Sequence, residues 1–294
     1  MPPLSQHHSS ETTKLLLIGE SGAGKTGALA ALAAAGYNLR IIDLDNGLDI
    51  LKDVLTGPKS KYPPEAINRV MAKTLTEPMR NINGKLFPAK ASVWPTTIKL
   101  LSEWKDTDAD GKEISLGPVT SWTSKDVLCI DSLTMLSTAA MNFQQSLNGH
   151  LGNSSVTQNE WRRDIGGAQQ FVESLLQTLY DTSIKCNVVV NSHIALVRER
   201  ANGQDLPEEK LPMVGFPSAI GASLPPRIPR YFNSVLLVKT VGSGMGTRHR
   251  IHTTSQGIVN AKTSAPTRVK PEYDIFDGLA KYFEDVKSSA APAA

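Results

Sequence analysis

The chain is short of several things at once. In 294 residues it has only two cysteines, and its formal net charge is only +3. It also has no internal repeat and no apolar run of membrane-spanning length. Cys129 and Cys186 both sit inside apolar segments that read as buried strands, which suits reduced core thiols and argues against a disulfide framework or a cysteine metal site. The longest Ala/Leu stretch is too short to cross a bilayer, so no membrane association is expected. The first residues lack a basic segment followed by an apolar core, so no secretory signal is expected and the expected location is the cytoplasm. A charge of +3 does not by itself announce nucleic acid. A hydrophobic content of 40% is ordinary for a globular protein and leaves room for one large or two small domains. No linker cleanly divides the chain. The expectation is one domain over 13–287, with a disordered polar leader at 1–12 and a disordered tail at 288–294.

What the chain does have is GESGAGKT at 19–26. It fits G-x-x-x-x-G-K-[ST], with Gly19, Gly24, Lys25 and Thr26 at the fixed positions. Residues 14–18 are an apolar run that suits a buried strand. The residues after Thr26 are strong helix formers that stop at Gly36. Strand, glycine loop and helix make a phosphate cradle over Gly19, Glu20, Ser21, Gly22, Ala23 and Gly24, because successive backbone N–H groups turn toward one anion at a helix N-terminus. Lys25 is placed for the β- and γ-phosphates and Thr26 for Mg²⁺. The motif therefore reads as a nucleoside-triphosphate site.

Along the chain, 38–44 reads as a second strand, 50–65 as an irregular connection around Gly57-Pro58 and Pro63-Pro64, and 68–75 as another strand. The segment 88–95 breaks the chain before a short helix at 96–105. The stretch 106–111 (DTDADG) opens like a calcium loop, but Gly117 stands where a bidentate Glu is needed, so it reads as an acidic turn. Segments 125–133 and 184–191 read as strands. Between them lie a helix at 135–147, a polar loop at 148–159 and a long helix with Trp161, Ile165, Ala168, Val172, Leu175 and Leu179 at helical spacing. Residues 197–230 are rich in Pro and Gly, with one short helix expected around 218–223. Segments 234–240 and 247–253 flank a glycine turn as a β-hairpin, and 275–286 forms a closing helix. Strands alternating with helices imply an α/β fold with a largely parallel central sheet and a C-terminal hairpin.

The segment VLCID ends at Asp131, an acid at a strand tip that can hold Mg²⁺ through water or simply cap the next helix. The next residue is Ser132, where many nucleotide motors have a water-activating Glu. Asp43 and Asp45 are the candidates for that role. A two-residue period puts them on one face of the second strand, although a solvated strand end before the Asn46-Gly47 turn explains them equally well.

GESGAGKT, IIDLDNGL (41–48), VLCIDSLTML (127–136) and VVVNSHI (188–194) together resemble the RecA-like recombination ATPases. They are closest in pattern to the small phage-encoded RecA-core ATPases that work with single-strand annealing and recombination systems. The resemblance spans about residues 13–270. It implies a RecA-like P-loop core, ATP and Mg²⁺, a homo-oligomer (ring or filament), single-stranded DNA as substrate, and a single-strand-binding or annealing protein as a further partner. It maps the family's acid onto Asp45, its Asp-Ser pair onto Asp131-Ser132, and its polar sensor onto Asn191 or His193. Two departures stand out. RecA proper has Glu where this chain has Asp45, and the usual sensor Gln is absent. A mobile DNA-contacting loop is implied at 198–210.

From 211 to 271 there are eight cations, Arg227, Arg230, Lys239, Arg248, Arg250, Lys262, Arg268 and Lys270, and no acid. Such a stretch is a solvated hairpin, a path for a nucleic-acid backbone, or a source of basic fingers for a neighbour's site. Arg248 and Arg250 share a strand face beside a flexible glycine turn and are the trans-acting candidates. Arg227 and Arg230, in a Pro-rich connection, are the DNA candidates. Two rival readings stay open. One is a P-loop kinase or GTPase, although Asp164-Ile-Gly-Gly167 lies in a helical region and no N-K-x-D follows. The other is a binding module in which ATP only organises an oligomer.

Overall fold

The computed structural model describes residues 12–288, apart from 83, 108–109, 154, 199–210, 243 and the side chain of Met245. The leader and tail expected at 1–12 and 288–294, and the loop expected at 198–210, fall almost wholly outside the described residues. In chain order the elements are β1 (Lys14–Gly19), α1 (Lys25–Ala34), β2 (Asn38–Asp43), α2 (Asp49–Thr56) and β3 (Val70–Thr74). Two hairpins follow, β4 (Met79–Ile82) with β5 (Lys85–Pro88) and β6 (Lys105–Thr107) with β7 (Glu113–Ser115); α3 (Val93–Ser102) lies between them. Then come β8 (Asp126–Asp131), α4 (Leu133–Leu147), α5 (Gln158–Tyr180), β9 (Asn187–Ser192) and the ribbon β10 (Ile194–Arg198) with β11 (Met213–Pro217). The chain closes with β12 (Ser234–Val241), β13 (Arg248–His252), β14 (Glu272–Asp274) and α6 (Gly278–Lys287).

The central sheet has the order β14-β13-β12-β1-β9-β8-β2-β3. The six strands from β12 to β3 run parallel, and β13 and β14 extend the β12 edge antiparallel. Parallel strands are buried on both faces, so they are apolar throughout and sort by parity. Leu16, Ile18, Leu128, Ile130, Val188 and Val190 join the core shared with α3, α4 and α5. Leu15, Leu17, Val127, Cys129 and Val189 join the core shared with α1, α2 and α6. The Ala-rich sequence of α1 lets that helix lie buried between sheet, α2 and α6. Both cysteines are free and buried, as expected. Among the described residues no helix is long and apolar enough to cross a membrane.

The helical segments depart from expectation in three places, and the ribbons β4–β5, β6–β7 and β10–β11 and the edge strand β14 were not expected. Residues 49–56 form α2, because Leu51 and Leu55 pack inward at helical spacing and the breakers begin only at Gly57-Pro58. Pro95 does not delay α3, which starts at Val93; in the first turn a missing N–H breaks no intrahelical bond. No helix forms at 218–223. Instead Pro225–Tyr231 makes a 3₁₀ turn.

At the amino end of the sheet, away from the glycine loop, Lys14 is 5% exposed and its Nζ donates to the carbonyls of Ile184 and Cys186 at 2.7 and 2.9 Å. Burial lowers its pKa from 10.5 to about 8. Below about pH 8 the ammonium is charged in both states and its desolvation penalty is fully felt. Between there and the unfolded value the native state sheds the proton first, so stability rises with pH, by about 3 kcal/mol over the window. Lys14→Met removes this dependence. The gap in urea stability between wild type and Lys14→Met is therefore expected to shift toward wild type from pH 7.5 to 9.5; a gap independent of pH would contradict it.

Candidate nucleotide site

Each part of the cradle has a local cause. Gly19 ends β1 in register with Val238 of β12, and a Cβ there would lie 2.6 Å from the Val238 carbonyl oxygen, so only glycine lets the two strands meet. Gly24 caps α1 in the left-handed region at φ 101°, which turns the chain from loop to helix. Glu20, Ser21 and Gly22 are exposed and Ala23 is buried. Lys25 is 6% exposed and its ammonium is folded over the loop, donating to the Gly19 and Glu20 carbonyls at 2.9 Å each. Burial lowers its pKa, while Asp131 and Asp45 pull it back up.

Thr26 donates its hydroxyl to Asp131 Oδ2 at 2.6 Å. The sheet order adds what the sequence does not reveal: β9 lies between β1 and β8, so Asn191 pairs with Leu17 on one side and Asp131 on the other. Asn191 is 1% exposed, and neither atom of its amide has a hydrogen-bond partner. Burial raises the Asp131 pKa, Thr26 and Asn191 lower it, and the charges of Asp45 and Asp43 raise it again. Three carboxylates near one ammonium leave the pocket wanting a cation. Among the described residues no three acidic, His or Cys side chains form a complete metal cage. Mg²⁺ takes one or two protein ligands and fills the rest with phosphate and water.

The two acids of β2 and its exit separate. Asp43 is 1% exposed; Oδ2 accepts from Thr74 at 2.8 Å and Oδ1 from the Gly47 amide at 3.3 Å. It ties β2 to β3 and closes the Asn46-Gly47 turn, which gives this buried carboxylate a structural task. Asp45 lies outside the strand. Its Oδ1 accepts from Ser132 at 2.8 Å, its Oδ2 faces His193 Nε2 at 3.4 Å, and a quarter of its side chain is exposed. His193 is held in turn by its backbone, with its N–H on Thr134 and its carbonyl accepting from the Ser218 amide. The peptide bond joining Asp131 to Ser132 is cis. Ser132 and Thr134 gave no sequence signal of their own beyond following Asp131.

The basic candidates are less bare than their segment suggests. Arg250 pairs with Glu272 and Asp274 on the neighbouring β14, at 3.3 and 3.0 Å. Arg227 and Arg230 both pair with Glu173 of α5, at 3.1 and 2.9 Å, and Tyr231 donates to the same carboxylate. Arg248 is exposed at the far end of β13. Between the two arginines, His249 points the opposite way. A methyl built on Gly24 would meet His249 at 3.6 Å and Ile275 at 3.5 Å, which makes both residues walls of the loop. Sequence reading passed over them. A cleft of about 370 Å³ is lined by Val54, Tyr62 and Phe276, the residue after Ile275.

Fold and site together give an α/β protein whose largely parallel eight-stranded sheet carries a strand, glycine loop and helix cradle. Two solved structures are similar in outline. The flagellar accessory protein FlaH from Methanocaldococcus jannaschii is 13% identical, with 88% of this chain and 83% of that one covered and a TM-score of 0.35. A KaiC-like protein, PH0186, from Pyrococcus horikoshii OT3 is 8% identical, with 82% and 77% covered and a TM-score of 0.34. No family profile and no curated protein matches the chain.

Proposed function

We propose that this chain is a Mg²⁺-dependent ATPase of the RecA-like kind that assembles with copies of itself and acts on single-stranded DNA. The observation that carries the nucleotide reading is the convergence of Lys25, the Thr26–Asp131 pair and the unpartnered amide of Asn191 at the N-terminus of α1. Thr26 and Asp131 are the residues that would hold Mg²⁺, directly or through water. When bound, Mg²⁺ neutralises charge on the phosphate oxygens. The loop amides and Lys25 bind the phosphates. Asp45, kept in place by Ser132 and His193, accepts a proton from the attacking water. In this reading Asn191 and His193 register the terminal phosphate. Phosphate release from ATP, without transfer to a small-molecule acceptor and without preference for GTP, separates this reading from the kinase and GTPase alternatives. Binding without release would favour the nucleotide-organised oligomer instead.

The oligomeric part rests on charge. Against the acids of the site and the phosphates of a nucleotide, the cradle offers one ammonium. Arg248, exposed and on the strand face away from the site's own loop, is placed to serve a neighbour, with Arg250 held to Glu272 and Asp274 beside it. Arg248→Ala is expected to lower hydrolysis by about tenfold or more and to recover in mixtures that supply an intact Arg248. No recovery on mixing, or full activity in a strictly monomeric preparation, would remove the trans role. Arg227 and Arg230 carry a strand contact in this reading, shared with Glu173.

A further inference from the structure

The strongest unpaired positive surface lies elsewhere, on a projection that no sequence motif marks. β3, β8 and β9 all end at the site edge of the sheet, and the β4–β5 hairpin, α4 and the β10–β11 ribbon leave from that edge. The hairpin rests on the α4–α5 loop. Arg80 reaches the Leu151 carbonyl at 3.5 Å, and a Cβ on Gly152 would lie 3.3 Å from both Arg80 Nη2 and Phe87 Cβ. The same loop is fastened to the start of α5, where His150 Nδ1 meets Asp164 at 2.7 Å and its Nε2 faces Glu160 at 3.9 Å. Hairpin, loop and first turns of α5 therefore make one surface.

Arg80, Lys85, Lys90, Arg162 and Arg163 are exposed on this surface, and none of them forms an ion pair with a carboxylate among the described residues. Its acids are held in local hydrogen bonds, although Glu160 keeps 39% of its side chain exposed and its charge reaches Arg163. Glu77 accepts from Ser92 and Val93 and caps α3. Glu160 closes the capping box of α5 with Thr157, and Asp164 is fully buried between Asn148 and His150. Among the cations sits Trp161, 44% exposed, with Leu86 at 66% and Met79 at 54%. The other three tryptophans, Trp94, Trp104 and Trp122, are 6% exposed or less. Cations that track phosphates, interleaved with an aromatic face for bases, are what a single strand needs, and base stacking tolerates any sequence.

We infer that the β4–β5 hairpin and the first turn of α5 form the binding surface for a single nucleic-acid strand, with Trp161 stacking on a base and Arg80, Lys85, Arg162 and Arg163 on phosphates. This rests on the proposed strand-dependent function and adds a second contact region to that of Arg227 and Arg230. There Glu173 takes up one of two charges, whereas here Glu160 offsets only Arg163 among five cations.

The test is titration of the full chain with a dT oligonucleotide of about thirty nucleotides, read by anisotropy and by tryptophan fluorescence. Quenching on binding is expected, and it should vanish in Trp161→Phe, whose remaining tryptophans are buried. Trp161→Ala should weaken binding about fivefold or more. Arg80→Ala/Lys85→Ala and Arg162→Ala/Arg163→Ala should each lower the slope of log affinity against log salt by about 1.4, near 0.7 per lost phosphate contact. Far-UV circular dichroism checks that each variant is folded. Binding by the wild type with the same affinity and slope in both double variants would overturn the assignment and leave the strand-dependent function standing. No binding by the wild type at low salt, with or without a non-hydrolysable ATP analogue, would overturn both. Poly-glutamate displacing the strand's quench but binding more tightly than the strand would reassign the surface to an acidic protein partner.

Discussion

Lys25→Ala is expected to lower the affinity for a fluorescent ATP analogue by about a hundredfold or more, the loss of roughly 3 kcal/mol that follows removal of a buried charge partner. In the structure the ammonium sits over the loop on two carbonyls, Gly19 and Glu20, and its burial lowers its pKa against the pull of Asp131 and Asp45. Phosphate replaces weak neutral acceptors with a full negative charge, so nearly all the gain from Lys25 comes on binding. The same reasoning says the variant stays folded, because a desolvated charge is removed and the Glu20 carbonyl is at the exposed part of the loop. Equal analogue affinity in a folded Lys25→Ala protein would sink the phosphate assignment.

Asp45→Asn is expected to cut ATP turnover by about 10²- to 10⁴-fold, the usual worth of a positioned base, while changing ATP affinity little. The amide keeps its acceptor toward Ser132 but cannot take a proton. Asp131→Asn should behave differently and lose Mg²⁺-dependent affinity, since its partner is Thr26 and its surroundings hold excess negative charge. Asp43→Asn gives a third pattern, a loss of folding stability through the Thr74 and Gly47 bonds. Parent turnover in Asp45→Asn would remove Asp45 as the base, and His193, 3.4 Å away, would be the next residue to test.

The phosphate cradle was legible because its rules are local. Strand, glycines, lysine and helix lie within about two dozen residues, and their geometry follows from φ values that only glycine adopts cheaply. The fold class was legible from the alternation of strands and helices. Strand order was not, since nothing near Asn191 says that β9 separates β1 from β8. The different settings of Asp43 and Asp45 were hidden for a related reason. The two-residue period holds only while the strand continues, and β2 ends at Asp43. Beyond it the amides of Leu44 and Asp45 both turn to the Asp131 carbonyl, and Asn46 takes φ 54°, so the two acids part company. Counting charges along 211–271 could not see Glu173, Glu272 or Asp274, which reach the arginines across the fold. The Trp161 surface was invisible for the converse reason: its five cations come from two segments, 80–90 and 162–163, that look unremarkable apart.

The measurement that bears most directly on the account is phosphate release from ATP by the purified full chain in Mg²⁺, with and without an unstructured dT oligonucleotide. The expected result is Mg²⁺-dependent turnover that rises when the strand is added and disappears in Lys25→Ala under both conditions. Turnover that ignores the strand would contradict the nucleic-acid reading, and turnover that survives Lys25→Ala would contradict the site itself.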